Sequence, residues 1–275
     1  MTPTPAFTPT LKQKLLGRNY KWWYFTIYNI NIAQAGIYAT IIGQFANFAN
    51  SFTLIYIWLR AANSKEIVTY LVIGQIYRSL VQTFWNEKIS TDIVSGKIIN
   101  LLLVPQNYLQ YNFYANLGQR IVRNIGLILT SILVMLVFLN YIQFRLELNL
   151  IYILVLVPIS FALNYFLNIA VGFLAFFLKD ARDYRSTSNS ILTVLMILSG
   201  TIIPLGQLPF GLLGYVQLLP TAWLLHHPMQ IYLGKYSALE TLYVFLGGII
   251  WCLVLYFLAK WVFRVGLKRN ESVGL

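Results

Sequence analysis

Apolar residues dominate six long runs of the 275-residue chain, and shorter polar segments separate these runs. Each run approaches the roughly 20 mostly apolar residues that a membrane-spanning helix needs. Helices suit lipid because each one satisfies its own backbone hydrogen bonds. The pattern therefore predicts an all-α integral membrane protein with six transmembrane helices. The predicted spans are residues 37–59, 67–84, 124–141, 150–178, 190–203 and 239–263.

Prolines and polar residues refine these spans. The third is expected to extend into the cytoplasm as far back as Asn112. Pro158 should bend the fourth span, and Pro204 should stop the short fifth one, because proline interrupts helical hydrogen bonding. Between the fifth and sixth spans, an apolar stretch is broken by several prolines, among them Pro209 and Pro220. We predict short re-entrant helices there, starting at Pro204.

The two ends of the chain differ from the spans. Residues 18–36 mix Trp and Tyr with Asn, Gln and Lys. This composition is typical of a helix that lies in the membrane interface. Residues 1–17 read as a flexible cytoplasmic tail and residues 264–275 as a second cytoplasmic tail. The membrane domain itself covers residues 37–263. We expect one transmembrane domain over residues 1–275.

Charge is scarce and one-sided. Only 10% of residues are charged, against about 25% in soluble proteins. With both termini in the cytoplasm, fifteen of the 20 basic residues fall on the cytoplasmic side, as the positive-inside rule requires. The net charge of +12 is thus explained by topology, and no nucleic-acid partner is expected. The basic residues expected outside are Arg60, Lys65, Arg145 and Lys235, while Arg78 falls in the second span near its cytoplasmic end.

A charged segment, residues 86–97, separates the second and third spans on the predicted cytoplasmic side. Its residues Ile89, Ile93 and Gly96 follow the i, i+4, i+7 spacing of one helical face. Asp92, Ser95 and Lys97 would lie off that face. The pattern predicts a short amphipathic helix, and a solvated loop is the alternative. The candidate functional residues in this segment are Glu87, Lys88, Asp92, Ile93, Ser95, Gly96 and Lys97.

A polar stripe runs along the first span. It consists of Thr40, Gln44, Asn47 and Ser51, which share one helical face. Polar side chains in membrane helices usually face neighbouring helices or a cavity. The stripe is therefore either helix–helix contact or the lining of a translocation path. A similar pair in the fourth span, Asn164 and Asn168, is expected to serve packing.

Motifs for chemistry are missing from the sequence. It contains no G-x-x-x-x-G-K-[ST] phosphate loop and no paired-Cys or H-E-x-x-H metal spacing. The adjacent His226 and His227 would point about 100° apart on a helix, so interfacial histidines are favoured over a metal or proton site. Cys252 is interpreted as a buried structural thiol. We expect no catalytic residues and no bound metal.

Three stretches together resemble the ABC-2 type permeases, the membrane subunits of ATP-binding-cassette exporters. The cytoplasmic segment matches their I-x-x-G-x-I-x-x-L-L-x-P pattern with one extra residue before the proline. Residues 200–234 resemble their proline-rich re-entrant region, and residues 266–274 their C-terminal ending. The matching positions of the cytoplasmic segment are Ile93, Gly96, Ile98, Leu101, Leu102 and Pro105.

The resemblance implies a permease subunit of an exporter in the bacterial plasma membrane. It implies an elbow helix before the first span, and a coupling helix in residues 86–97 that docks on a separate ATPase. ATP and Mg²⁺ would bind that partner, so the chain itself would be no enzyme and hold no cofactor. Two ATPase copies and a second permease, identical or homologous, would complete the complex within membrane lipid. The four residues Asp180, Arg182, Asp183 and Arg185 would form a cytoplasmic salt-bridged turn, or else an ATPase contact.

The expected cargo is a hydrophobic, amphipathic or drug-like compound, with export of a lipid or glycan precursor as the alternative. Two other classes of protein are kept as rivals. A membrane enzyme would need clustered acidic or histidine side chains near a membrane face, and a channel or secondary transporter would favour ionisable residues at mid-membrane. The few, scattered acidic residues favour neither.

Overall fold

The computed structural model describes seven stretches of the chain, and within them every regular element is helical, with no β-strand. These stretches are residues 37–62, 64–83, 86–98, 108–144, 148–178, 181–209 and 211–271. The predicted interfacial helix at 18–36 and the tail at 1–17 lie outside them. The all-α class predicted from the sequence is thus confirmed for the described residues.

Four α-helices occupy the first half of the described chain. They are α1 (Ile37–Ala62), α2 (Lys65–Val81), α3 (Asn86–Val94) and α4 (Tyr108–Val137). The 17 residues of α2 extend about 25 Å at 1.5 Å per residue. The 30-residue α4 begins four residues before Asn112, so the predicted extension of the third span is real and slightly longer.

Two long helices and a shorter one dominate the second half. They are α5 (Leu148–Phe173), α6 (Ala181–Leu198) and, after the broken segment, the 34-residue α9 (Ala238–Glu271). By length and composition, the stretches Asn149–Phe176 and Ala238–Arg269 could each cross a membrane. The other described helices of the bundle carry more polar residues or are shorter, and they do not meet this criterion of length and composition.

The segment between α6 and α9, residues 199–237, is called the broken segment. It consists of several short helical turns, as its prolines predicted. It contains 3-10 turns at Leu205–Gln207 and Pro220–Leu224, and the helices α7 (Leu213–Val216) and α8 (His226–Tyr232). Pro204 precedes the first turn and Pro220 opens the second. Prolines are tolerated there because the first residues of a helical turn have no internal partner for their N–H groups.

Helix α5 is the centre of the bundle, since it packs against α2, α3, α6, α8 and α9. Leu156 and Leu163 are fully buried in the larger of two cores, which α1, α2 and the broken segment complete. Ile169 and Phe173, nearer the C-terminal end of α5, belong to a second core with residues of α3. The charged segment is therefore anchored to the same helix that organises the membrane bundle.

The broken segment is wedged between α9 and α2 through close contacts at glycines. Trp223 lies so near Gly247 that a Cβ there would stand 2.7 Å from its ring, and its indole N–H donates to the Val244 carbonyl at 2.7 Å. On the opposite side, a Cβ at Gly74 would stand 2.9 Å from the Leu225 side chain. The part of the segment from Thr221 to Leu233 is thus covered by protein, while much of the part from 206 to 219 is exposed.

Connecting segments predicted to share a side of the membrane do share an end of the bundle. Glu66, at the start of α2, forms an ion pair with Lys235, which precedes α9. The backbone N–H of Gln143, which follows α4, donates to the Thr69 hydroxyl at 2.9 Å. The segments around these residues were all predicted to lie outside the cell, and the contacts agree with that grouping.

One predicted boundary is wrong. The fifth span was expected at 190–203 with a stop at Pro204, but α6 begins at Ala181 and ends at Leu198. Gly200, with φ at 84°, ends it: its N–H donates to the Ile197 carbonyl, and the Thr201 N–H to the Met196 carbonyl. This is the Schellman cap, which glycine favours because it adopts positive φ without strain. The sixth predicted span corresponds to α9. This helix continues to Glu271, so most of the predicted tail at 264–275 is helical.

Candidate functional site: a short helix under the bundle and a polar cavity within it

The charged segment is a helix, so the loop alternative is wrong, but the helix is shorter than the sequence pattern indicated. It ends at Val94, and Gly96 has φ at 71° with its N–H donating to the Ile93 carbonyl at 3.1 Å. Gly96 is therefore the residue that caps α3 and does not continue its apolar face. A Cβ at Gly96 would meet nothing within 4 Å, so its backbone conformation, more than lack of space, favours glycine.

The isoleucines of α3 point into the chain. Ile89 is fully buried and Ile93 nearly so, in a core that includes Phe173 of α5 and Tyr184 of α6. Burial of two such side chains contributes on the order of 3–6 kcal/mol of hydrophobic free energy. This face holds α3 against the bundle, and Ile93 offers no surface to a partner.

Asp92 is also less available than the sequence suggested. Its side chain is buried, and its Oδ2 lies 3.6 Å from the Lys88 ammonium one turn earlier. That geometry is an i, i+4 ion pair within α3. Helix positions 86 and 87 belong to α3, and the side chain of Glu87 lies outside the described residues.

The surface that α3 leaves open is its C-terminal end. Thr91, Val94, Ser95 and Lys97 are exposed there, and the Ser95 hydroxyl donates to the Thr91 carbonyl at 2.6 Å. Val94 is 45% exposed. It forms a small exposed apolar spot beside the exposed residues Thr91, Ser95 and Lys97.

The polar stripe of α1 divides between its two predicted roles. Gln44 lies against α4: a Cβ at Gly126 would stand 2.8 Å from the Gln44 Cγ. Asn47 and Ser51, in contrast, line a cavity of about 290 Å³ between α1, α2 and the end of α6. The side chain of Thr40 lies outside the described residues. Helix contact and cavity lining are therefore both present, at different residues.

The cavity has a polar part and an apolar part. Its walls include seven polar side chains from α1, α2 and its C-cap, and the start of the broken segment, and apolar side chains from α1, α2, α6 and the broken segment. The polar ones are Asn47, Asn50, Ser51, Gln75, Arg78, Gln82 and Thr201. The apolar ones are Leu54, Ile55, Leu71, Met196, Ile202 and Leu225.

Three cavity residues on α2 or at its C-cap were not singled out as site residues from the sequence. Gln75, Arg78 and Gln82 follow i, i+3, i+7 spacing, so a polar face of the second span was visible in the pattern. Only the pairing of α2 with α1 brings that face opposite Asn47 and Ser51. The polar face of α2 could thus be read from the sequence, but the position of α1 opposite that face could not.

The asparagine pair of α5 serves packing, as predicted. Asn164 Oδ1 accepts hydrogen bonds from the Thr83 N–H at 2.9 Å and the Thr83 hydroxyl at 2.7 Å. Asn168 Nδ2 donates to the same oxygen at 3.0 Å. These bonds tie the residues just after α2 to the middle of α5.

His227 makes two hydrogen bonds within the protein. His227 Nε2 lies 2.8 Å from the Gln217 carbonyl, so this nitrogen carries the proton, and Nδ1 accepts from the Tyr236 hydroxyl at 2.9 Å. His227 therefore links pieces of the broken segment. Across the described stretches, no three His, Cys, Asp or Glu side chains cluster in a way that could hold a metal ion.

The charged residues after the fourth span do not form a separate turn. Residues 181–185 are the first turns of α6, while Asp180 and the side chains of Arg182 and Asp183 lie outside the described residues. Arg185 is exposed. Cys252 is partly buried, and its thiol lies 3.6 Å from the Ile159 carbonyl of α5.

Comparison with known proteins adds one finding. A family model described as ABC-2 family transporter protein matches residues 51–274. The match covers α2 to α9 and the C-terminal part of α1. It includes the short helix, the broken segment and the cavity residues other than Asn47 and Asn50. A search of curated proteins finds no match.

Proposed function

The chain belongs to the ABC-2 family of transporter proteins, and on that premise we propose that it forms the translocation pathway of an exporter. The family makes the chain a membrane permease subunit of an ABC transporter and implies association with an ABC ATPase. The proposed cargo is a hydrophobic, amphipathic or drug-like compound. A lipid or glycan precursor is the alternative cargo for the same architecture.

The proposed membrane topology has six spans, formed by α1, α2, α4, α5, α6 and α9, with both termini in the cytoplasm of a bacterial cell. The two strongly apolar stretches and the shared bundle end of Glu66 and Lys235 support this topology. The one-sided distribution of basic residues supports the orientation. The elbow helix at 18–36 belongs to the same proposal.

The proposed coupling element is α3. Its buried isoleucines fix it to α5, so a force applied to its exposed end would reach the helix at the centre of the bundle. Of the residues singled out from the sequence, Lys88, Ser95, Gly96 and Lys97 remain suitable for contact with a partner, and Thr91 and Val94 join them. Ile93 and Asp92 would instead hold the helix in place.

ATP and Mg²⁺ would bind the ATPase partner, and we propose that this chain binds neither. Two ATPase copies and a second permease, identical or homologous, would form the full transporter. In such a complex, α3 of each permease would contact one ATPase. Hydrolysis on the partner would then drive alternation of the cavity between the two sides of the membrane.

The observation that carries the proposal is the family match across residues 51–274. Its test is purification of the tagged chain from its native membrane in mild detergent. We expect an ATPase with a phosphate loop to co-purify, and the complex to hydrolyse ATP faster with a transported compound. The isolated chain should not hydrolyse ATP. Recovery of the chain without any ATPase would contradict the proposal.

A further inference from the structure

The cavity between α1 and α2 has an uneven charge. Arg78 is the single ionisable side chain among the residues that line it, and the other polar members are amides and the hydroxyls of Ser51 and Thr201. The lining contains no acidic residue. Amides and hydroxyls can accept hydrogen bonds from a guanidinium, but they cannot neutralise its charge.

No acidic side chain in the described part of the chain pairs with Arg78. The two ion pairs there join Lys88 to Asp92 and Lys235 to Glu66. Ionisable residues in membrane helices are usually paired, or face a wet cavity that serves function. A guanidinium is also well suited to bind planar or tetrahedral acid groups through two parallel hydrogen bonds.

The apolar lining is placed to receive the rest of such a ligand. Arg78 lies in the last turn of α2, whereas Leu71 lies two turns earlier, and Leu225 of the broken segment lies against Gly74. One part of the cavity is therefore cationic and rich in amides, and another is apolar. A volume of about 290 Å³ is at the small end of pockets for drug-sized ligands, which hold roughly 300–1,000 Å³.

We propose that this cavity binds an amphipathic anion, a single-chain compound whose carboxylate, sulfonate or phosphate group pairs with Arg78 and whose apolar part lies toward Leu225. The inference rests on the proposed function, since it names the chemical class of the transported compound. Asn47, Asn50 and Gln75 would donate hydrogen bonds to the remaining acid oxygens. The anion could come from a membrane lipid or from a free amphiphile, and both present the same chemistry to Arg78.

The test measures binding to the transporter complex in nanodiscs of phosphatidylcholine. Decanoate and decyltrimethylammonium serve as probes with equal chains and opposite charge. We expect decanoate to bind and the cation not to bind. Arg78→Gln should weaken decanoate binding at least tenfold, because it removes a charge-assisted hydrogen bond, and Arg78→Lys should retain part of the affinity.

The matched control is Arg60→Gln. Arg60 lies near the end of α1, where its side chain donates to the Tyr56 hydroxyl at 3.3 Å, away from the cavity. This variant loses the same charge and should bind decanoate as the unaltered protein does. If Arg78→Gln does not fold, Asn47→Asp supplies a second test, because a carboxylate on the cavity wall should repel the anion and occupy Arg78.

The membrane-lipid source is tested by adding lysophosphatidylglycerol, a single-chain anionic lipid, to the nanodiscs. Displacement of decanoate would assign the anion to lipid, and undiminished binding would assign it to a free amphiphile. Equal affinity for decanoate in Arg78→Gln and the unaltered protein, or equal binding of both probes, would overturn the inference. An ATPase would still co-purify in that case, so the proposed function and this inference can fail separately.

Discussion

Gln44 of α1 and Gly126 of α4 lie in direct contact, and a Cβ at Gly126 would stand 2.8 Å from the Gln44 Cγ. The Gln44 Oε1 is buried without a hydrogen-bond partner in the described residues. The contact therefore depends on close approach of α1 and α4. Such approach is common in membrane proteins where a small residue lies at the interface between two helices. It assigns Gln44 to helix packing and separates it from the cavity lining.

The first prediction concerns that close approach. Gly126→Leu should displace Gln44 and loosen α1 from α4, with a loss of about 1–3 kcal/mol of stability. Gly43→Leu is the matched control, because a Cβ at Gly43 meets nothing within 4 Å. The measurement is thermal unfolding of both variants in detergent. An equal melting temperature for Gly126→Leu and the unaltered protein would contradict the packing role.

The second prediction separates the two roles of the α1 stripe. Asn47→Leu removes an amide from the cavity wall and should change which compounds stimulate ATP hydrolysis by the complex. Gln44→Leu replaces a buried acceptor that has no described partner, so it should leave the compound profile unchanged and cost little stability. A changed profile in Gln44→Leu, with none in Asn47→Leu, would reverse the assignment.

The third prediction concerns topology. Cysteines placed at Lys65, Arg145 and Lys235 should react with an impermeant reagent from outside intact cells. Those placed at Lys97 and Arg185 should not, because these two belong to the side that carries the excess of basic residues, which is the cytoplasmic side. The background is a Cys252→Ser chain, since Cys252 is the sole native cysteine. External labelling of Lys97→Cys would overturn the orientation.

The long apolar helices and the fragmented segment before α9 could be predicted from the sequence because both depend on local composition. Runs of apolar residues specify helices in lipid, and closely spaced prolines exclude one continuous helix. The packing role of Asn164 and Asn168 was also predictable, although their partner Thr83 was not, because it lies 81 residues from Asn164.

Helix ends and the direction of the α3 face were predicted less well. Pro204 was expected to end the fifth span, which corresponds to α6. Gly200 ends this helix instead, with a cap that needs positive φ. Gly96 was placed on the apolar face by spacing alone, but it follows the end of α3 with a positive φ, and its N–H donates to the Ile93 carbonyl. Amphipathic spacing identifies an apolar face but cannot tell whether that face meets its own chain or a partner.

The cavity shows the same limit. Arg78 and Asn47 each stood out as polar residues in apolar runs, yet the sequence could not place them on one wall. Their relationship depends on α1 and α2 packing antiparallel with their polar faces together. Long-range pairing of this kind is a property of the folded bundle and not of either segment.

The central claim is that α3 transmits movement of an ATPase to the bundle through its exposed end. Val94→Glu places a charge in the exposed apolar spot and leaves Ile89 and Ile93 in their core. Ser186→Glu is the control, as it adds the same charge at an exposed position near the start of α6, where the rival contact around Asp180–Arg185 would lie.

The decisive measurement is ATP hydrolysis by the reconstituted complex, with and without a transported compound, alongside transport itself. The account predicts that Val94→Glu lowers compound-stimulated hydrolysis and transport at least tenfold relative to the unaltered complex. Ser186→Glu should keep both activities, and each variant should retain its melting temperature. Full coupling in Val94→Glu, with coupling lost in Ser186→Glu, would contradict the claim and move the contact to α6.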